Sequence, residues 1–166
     1  MAQFLRPNST VSAGTWSPVV AATLHEAIDE TSANGDTDYI ACGNNNNSTC
    51  EVGLSTGSTP AAGTRTVRYQ YRKDATGGNS RDVTISLYEG ATLINEQAHT
   101  NIGNTWTNGS FTVTNSITNY ADLRFRITSG GTTGGSPGNR RDVFVTFAEL
   151  EIPDAPVVAS KFYIIT

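Results

Sequence analysis

The chain has 166 residues, 37% of them hydrophobic, enough for one domain to bury a core without disulfides or a metal. Charged residues make up only 16% and the formal net charge is −4, which argues against nucleic-acid binding through a broadly basic surface. No apolar run is long enough for a bilayer-spanning helix, and Met1-Ala2-Gln3-Phe4-Leu5-Arg6-Pro7 lacks the pattern of a secretory signal, so synthesis in the cytoplasm and no membrane partner are expected.

In chain order, residues 7–13 read as a first strand with Val11 pointing inward, and Gly14-Thr15-Trp16-Ser17-Pro18 as a turn carrying a large aromatic. Leu24, Ala27 and Ile28 fall at i, i+3 and i+4, which predicts one short helical segment over 24–30, with Thr23 as cap and Glu26 as its partner. Short strands over 38–41 and 50–55 flank an Asn-rich loop. Cys42 and Cys50 sit at its ends, either as two reduced thiols or as a disulfide stapling a hairpin.

Four later stretches alternate apolar and polar residues: Arg65–Lys73, 82–88, 122–128 and 142–147. Period two sends one set of side chains to a buried face and the other to water, so each is a half-buried strand of an antiparallel sheet. Further strands are expected over 92–98 and 105–114, and a long Gly-rich loop over 129–138. In the last strand, over 140–152, Val143, Val145 and Phe147 share one parity while Leu150 and Ile152 take the other. A bulge near Ala148-Glu149 would return both sets to the core.

The pattern as a whole predicts an all-β, antiparallel, jelly-roll-like β-sandwich with one short helical segment. Residues 1–153 form the domain, and 154–166 a C-terminal extension with apolar Val157, Val158, Phe162, Tyr163, Ile164 and Ile165. That extension is either a last strand on its own domain or a strand that pairs with a neighbouring subunit.

Signals for chemistry are sparse. His25 and His99 lie in no nucleophile–base motif, and neither has metal-ligand spacing, so no catalytic residue, no enzyme activity and no transition-metal site is expected. Glu149 and Glu151 are two apart, as are Asp36 and Asp38, and a carboxylate pair could serve glycoside hydrolysis. In the register that buries Leu150, however, the two glutamates are solvated. No cofactor is called for; calcium could be held by Asp29, Glu30, Asp36 and Asp38, although acidic turn residues usually cap turns instead. The sequons at Asn8, Asn47 and Asn108 carry no glycan implication without a secretory signal.

Arginines punctuate the polar faces: Arg68 and Arg72 in one strand, Arg124 and Arg126 in another. If the strands share a sheet, they form an arginine ladder suited to a protein interface. Phe162 and Tyr163 are further candidates for partner contact. Trp16, Trp106 and Tyr120 are the alternative candidates, as a sugar-stacking platform, although both tryptophans suit the core.

Several segments taken together carry a resemblance: Arg6-Pro7-Asn8-Ser9-Thr10, Gly14-Thr15-Trp16, Leu24-His25-Glu26-Ala27-Ile28-Asp29-Glu30, Val67-Arg68-Tyr69-Gln70-Tyr71-Arg72-Lys73 and Ala148-Glu149-Leu150-Glu151-Ile152-Pro153. As a set, they resemble small β-sandwich structural proteins of tailed phages, of the capsid decoration (cement), head-fibre or tail-associated type. The resemblance implies a non-enzymatic virion component, made in the host cytoplasm, that contacts the major capsid protein or other virion proteins and itself as a homo-oligomer. The alternative expectation is a glycan- or receptor-binding module of a fibre or tail.

Overall fold

The computed structural model describes residues 2–43 and 46–156. Strands come in the order β1 (Gln3–Leu5), β2 (Pro7–Ser12), β3 (Trp16–Val19), β4 (Tyr39–Cys42), β5 (Ser48–Leu54) and β6 (Arg65–Lys73). They continue with β7 (Arg81–Glu89), β8 (Thr92–His99), β9 (Thr107–Val113), β10 (Leu123–Gly131) and β11 (Val143–Ile152). Two antiparallel sheets result. Sheet A runs β3-β4-β11-β6-β9, with β1 paired to the far half of β11; sheet B runs β2-β5-β10-β7-β8. The chain is therefore an all-β sandwich, its strands passing back and forth between the layers in a jelly-roll-like winding.

The alternation in the sequence is what closes the two layers. Val67 in β6, Val83, Ile85 and Leu87 in β7, Phe125 and Ile127 in β10, and Val143 and Val145 in β11 are all fully buried between the sheets. Fully burying each such side chain contributes about 1.5–3 kcal/mol, so the inward rows supply the drive for folding.

The last strand contains the expected bulge, but two residues earlier than the sequence suggests. Val145 pairs with Tyr71 and Phe147 with Gln70, leaving Thr146 as the extra residue. Parity changes there, so Ala148, Leu150 and Ile152 turn inward. Phe147 turns to the outer side. Thr146 is itself buried, and its hydroxyl lies 2.6 Å from Asn34 Oδ1 and 2.5 Å from the Asp38 carbonyl, two acceptors that share its one proton.

Other local expectations are corrected. Residues 24–30 form successive turns rather than a helix, closed by Ala27 N–H to the Thr23 carbonyl and Ile28 N–H to the His25 carbonyl. Seven residues are too few to offset helix nucleation, and the segment instead buries Leu24, Ala27 and Ile28 against sheet A. Thr23 and Glu26 do pair, the hydroxyl donating to the carboxylate at 2.8 Å. Among the described residues the helical elements are two 3₁₀ turns, Tyr120–Asp122 and Pro137–Asn139. The segment read as a turn, Gly14 to Pro18, contains β3, where Pro18 is tolerated because β3 is an edge strand. Val11 is exposed at 51%, since β2 is an edge whose register shifts twice against β5.

Cys42 and Cys50 are buried free thiols and do not flank a hairpin. Cys42 ends β4 in sheet A and Cys50 lies in β5 of sheet B, so the Asn-rich connection crosses from one layer to the other. The Ser129 hydroxyl donates to Cys42 Sγ at 2.9 Å. Burial pushes the Cys50 thiol far up, assisted by the neighbouring Cys42.

Candidate functional site

Sheet B presents an outer face on which side chains stand in registered rows. One row is Thr49, Thr128, Thr84 and Ala98, and the next is Glu51, Arg126, Ser86 and Glu96. A third is Gly53, Arg124, Tyr88 and Leu93. Strand alternation puts them there: their neighbours Cys50, Val52, Val83, Ile85, Leu87, Phe125 and Ile127 all fill the core. The rows enclose a shallow trough of about 370 Å³ whose floor includes Thr84, Ser86 and Arg126 and whose rim includes Tyr88 and Glu96.

The charged groups of the trough are held in fixed orientations. Arg126 Nε donates to Glu51 Oε2 at 2.5 Å, and Arg124 Nη1 to Glu51 Oε1 at 2.7 Å. Arg124 also donates to Asp122 at 2.7 Å. Burial opposes ionisation of Glu51, but the hydrogen bonds from Arg124 and Arg126 outweigh it and hold the carboxyl below the usual carboxylate range. The Arg126 guanidinium lies 3.9 Å from the centroid of the Tyr88 ring. Ser86 donates to Glu96 at 3.1 Å, and the Thr49 and Thr128 hydroxyls are 2.8 Å apart. The trough thus offers planar polar groups, hydroxyls and one flat aromatic stack, with donors and acceptors side by side. In and around it, Arg124 and Arg126 are paired with Glu51 and Asp122, and Glu96 accepts from Ser86, so this face carries no positive excess.

The outer face of sheet A is built differently. Residues 32–38 cross over it, after the Ile28 carbonyl has accepted the Ala148 N–H at 3.2 Å in the gap between β4 and β1 along β11. Arg72 lies between the rings of Trp106 and Phe144, 4.9 Å from each centroid, and donates to Asp36 at 2.6 Å. Trp106 Nε1 donates to the same Asp36 oxygen at 3.2 Å, and Tyr39 packs on both Trp106 and Phe144. Arg68 is paired with Glu151 and lies 3.8 Å from Glu149, which also accepts from Arg6 at 2.8 Å. Beside these lies a groove of about 380 Å³ bordered by Ser32, Ala33, Arg68, Asn108, Ser110 and Phe147.

The expected single ladder of arginines does not form. Arg68 and Arg72 lie on β6 in sheet A, Arg124 and Arg126 on β10 in sheet B, and the two pairs face opposite sides of the sandwich. Each has a carboxylate partner within the chain. The three aromatic candidates are not brought together either. Trp16 is a core residue whose indole N–H donates to the Ser48 carbonyl at 3.1 Å. Tyr120 is buried and accepts from Arg65 Nε at 2.5 Å. Trp106, which suited the core in the sequence, is half-buried on the outer face of sheet A. Phe162 and Tyr163 lie outside the described residues.

Glu149, expected to be solvated, is 5% exposed, because the bulge brings it beneath Arg6 and Arg68. Asp29, Glu30, Asp36 and Asp38 do not converge, and among the described residues no three His, Cys, Asp or Glu side chains come together where a metal could be held. Asp36 is engaged by Arg72 and Trp106 instead. His99 is stacked on Tyr71 and bonded to the Tyr69 hydroxyl at 2.7 Å, and burial lowers its affinity for a proton.

Sequence reasoning missed Glu51, Tyr88 and Glu96 in the trough, and it missed Arg81. Arg81 is wholly buried and donates to the carbonyls of Asn46 and Thr132 and to Asn47 Oδ1, fastening two loops at one end of the sandwich. Its signal was parity: Arg81 shares the inward phase of Val83, Ile85 and Leu87.

No protein-family model matches this chain, and no curated protein matches it. Among solved structures, a family 16 carbohydrate-binding module is similar at 12% identity and a TM-score of 0.46, covering 84% of this chain and 86% of that one. A CBM61 module in complex with β-1,4-galactotriose is similar at 11% identity and a TM-score of 0.46, over 90% and 86%. The Clostridium thermocellum xylanase 10B CBM22-1–GH10 modules, complexed with xylohexaose, are similar at 13% identity and a TM-score of 0.47, over 95% of this chain but 30% of that one. At such scores these likenesses decide nothing about a ligand, and the sandwich architecture rests on the strand pairing itself.

Proposed function

We propose that the chain is a non-catalytic module that binds an uncharged oligosaccharide along the outer face of sheet B. The observation that carries this reading is the open trough in which Arg126, its guanidinium over the Tyr88 ring and clamped to Glu51, lies among Ser86, Glu96 and a row of threonines. A sugar ring needs what this surface has: a flat patch for its C–H face and rigid donors and acceptors for vicinal hydroxyls. Balanced charge favours a neutral glycan over an acidic one.

Calorimetric titration of neutral glucans, xylans and galactans, with a uronic-acid polymer alongside, tests the reading. Binding of at least one neutral glycan that the Tyr88→Ala/Arg126→Ala double variant loses is the expected result. Absence of binding across the panel, or binding unaltered by the double variant, overturns it.

The resemblance to tailed-phage structural proteins supports a setting for such a module on a virion. The arginines that favoured a cementing interface are each paired within the chain, so the glycan-binding reading takes precedence. Mass spectrometry of purified particles tests the setting: the protein is expected in the particle, and its absence there removes the virion from the proposal.

A further inference from the structure

Among the described residues, five strands of the sandwich have a free edge, and four of them carry features that discourage pairing with another chain. β3 has Pro18, β1 is three residues long, β2 begins with Pro7 and shifts register twice, and β8 has an irregular register and carries Glu96. β9 is the exception. Its residues, Thr107-Asn108-Gly109-Ser110-Phe111-Thr112-Val113, hold unbroken register with β6 and include no proline and no charge. Gly109 lets the Tyr69 ring lie flat against the strand, where a Cβ would come within 2.2 Å of it. Phe111 is only partly buried against the core. On the outer face of sheet A, reaching from Phe147 of β11 across Arg68 of β6 to Asn108 and Ser110 of β9, lies the groove that Ala33 also borders. An edge with free main-chain groups next to a groove for side chains is the arrangement that accepts an added strand.

The chain also supplies a segment suited to it. Residues 157–166, Val-Val-Ala-Ser-Lys-Phe-Tyr-Ile-Ile-Thr, hold one charge and six large apolar side chains. In an extended segment Phe162 and Ile164 share one face, and Tyr163 and Ile165 the other. This suits a strand that has the groove on one side and the row of Phe111 on the other.

The exit path shows whose edge is filled. After Ile152 the Pro153 carbonyl accepts from Gln3 Nε2 at 3.1 Å, and the Asp154 carbonyl accepts from Ala61 N–H at 2.8 Å. The chain is thus tied down at the end of β11, between Gln3 of β1 and the loop that leads into β6, while β6 and β9 lie between it and its own free edge. Reaching a position beyond β9 means crossing three strand spacings, roughly 14 Å from β11. Ala155 and Pro156 together span only about 7 Å. We infer that residues 157–166 of one copy add as a strand to β9 of a second copy, making the protein a strand-exchanged homo-oligomer. Reciprocal exchange closes a dimer, and head-to-tail exchange closes a ring.

Light scattering of the full chain tests this against the full-length Phe162→Asp/Ile164→Asp variant, with amide hydrogen exchange of both. The expected outcome is an oligomeric parent, a monomeric variant with an unchanged far-UV spectrum, and at least tenfold faster exchange across 107–113 in the variant. A lysine-tagged synthetic peptide of residues 157–166 is expected to restore that protection when added to the variant. A monomeric parent overturns the inference, and if its β9 amides are protected the strand has added within its own chain. An oligomer that survives the double substitution also overturns it, as does protection moved to β2, β3 or β8. None of these outcomes depends on glycan binding.

Discussion

The two outer faces of the sandwich start from the same sequence device and end in opposite conditions. On each, arginines alternate with apolar residues along a central strand, β6 in sheet A and β10 in sheet B. Over sheet A the segment 32–38 and Trp106 fold down, so Arg72 is enclosed by two rings and Asp36, and Phe147 is buried. Sheet B has a face with registered polar rows around a trough, and Arg126 spreads over Tyr88 as part of it. What a polar strand face becomes is decided by the connections laid across it, because alternation sets only which side of the sheet a residue takes.

The difference can be broken most strongly from the sheet A side. Ile28 is fully buried in the core where the chain leads into that covering segment, and Ile28→Ala is expected to cost about 2–5 kcal/mol, read as a lowered midpoint in urea. Thr84→Ala, on the open face, is expected to stay within about 0.5 kcal/mol of the parent. Equal losses would mean that the open face is not open.

Ligand binding should split the other way. Tyr88→Ala alone is expected to weaken glycan binding about tenfold, equivalent to about 1.4 kcal/mol, with little change in stability. Trp106→Ala removes one wall of the Arg72 sandwich, worth about 0.5–2 kcal/mol of stability, and leaves affinity unchanged in the same titration. A loss of affinity in Trp106→Ala would move the binding face to sheet A.

The smallest effect concerns acid. Glu51 has its folded-state pKa depressed, so its contribution to stability is complete above the unfolded-state value and is lost as pH falls through the folded value. Stability measured from pH 6 downward is expected to fall less steeply for Glu51→Gln than for the parent below about pH 4. Parallel acid limbs would show that the arginine clamp contributes nothing.

How much of this was legible depends on what each residue needed. The four alternating stretches carry their own phase, and every one became a strand with the expected inward set up to the bulge. Trp106, Glu51, Tyr88 and Glu96 needed more than phase. Whether two strands are neighbours, and whether a loop returns over them, is settled by long-range pairing that no local pattern encodes. Arg81 lay between these cases: its phase pointed inward, but only the loop carbonyls of Asn46 and Thr132 make an inward arginine tolerable. The hairpin expected between Cys42 and Cys50 failed for the same reason as the ladder, because nearness in sequence was taken for membership of one sheet.

Thr146, the single extra residue in β11, also bears on how this chain can change through time. Forcing that residue into the ladder would turn Ala148, Leu150 and Ile152 to the outer side, whereas losing it would leave 143–145 and 148–152 both in their present phase. The loop of 132–136, with Gly134 and Gly135 at its surface, has no such phase to keep. Descendants of this sequence are expected to differ freely in length there, whereas loss of Thr146 would keep the phase of β11 but remove the hydroxyl that ties Asn34 and Asp38 to the strand.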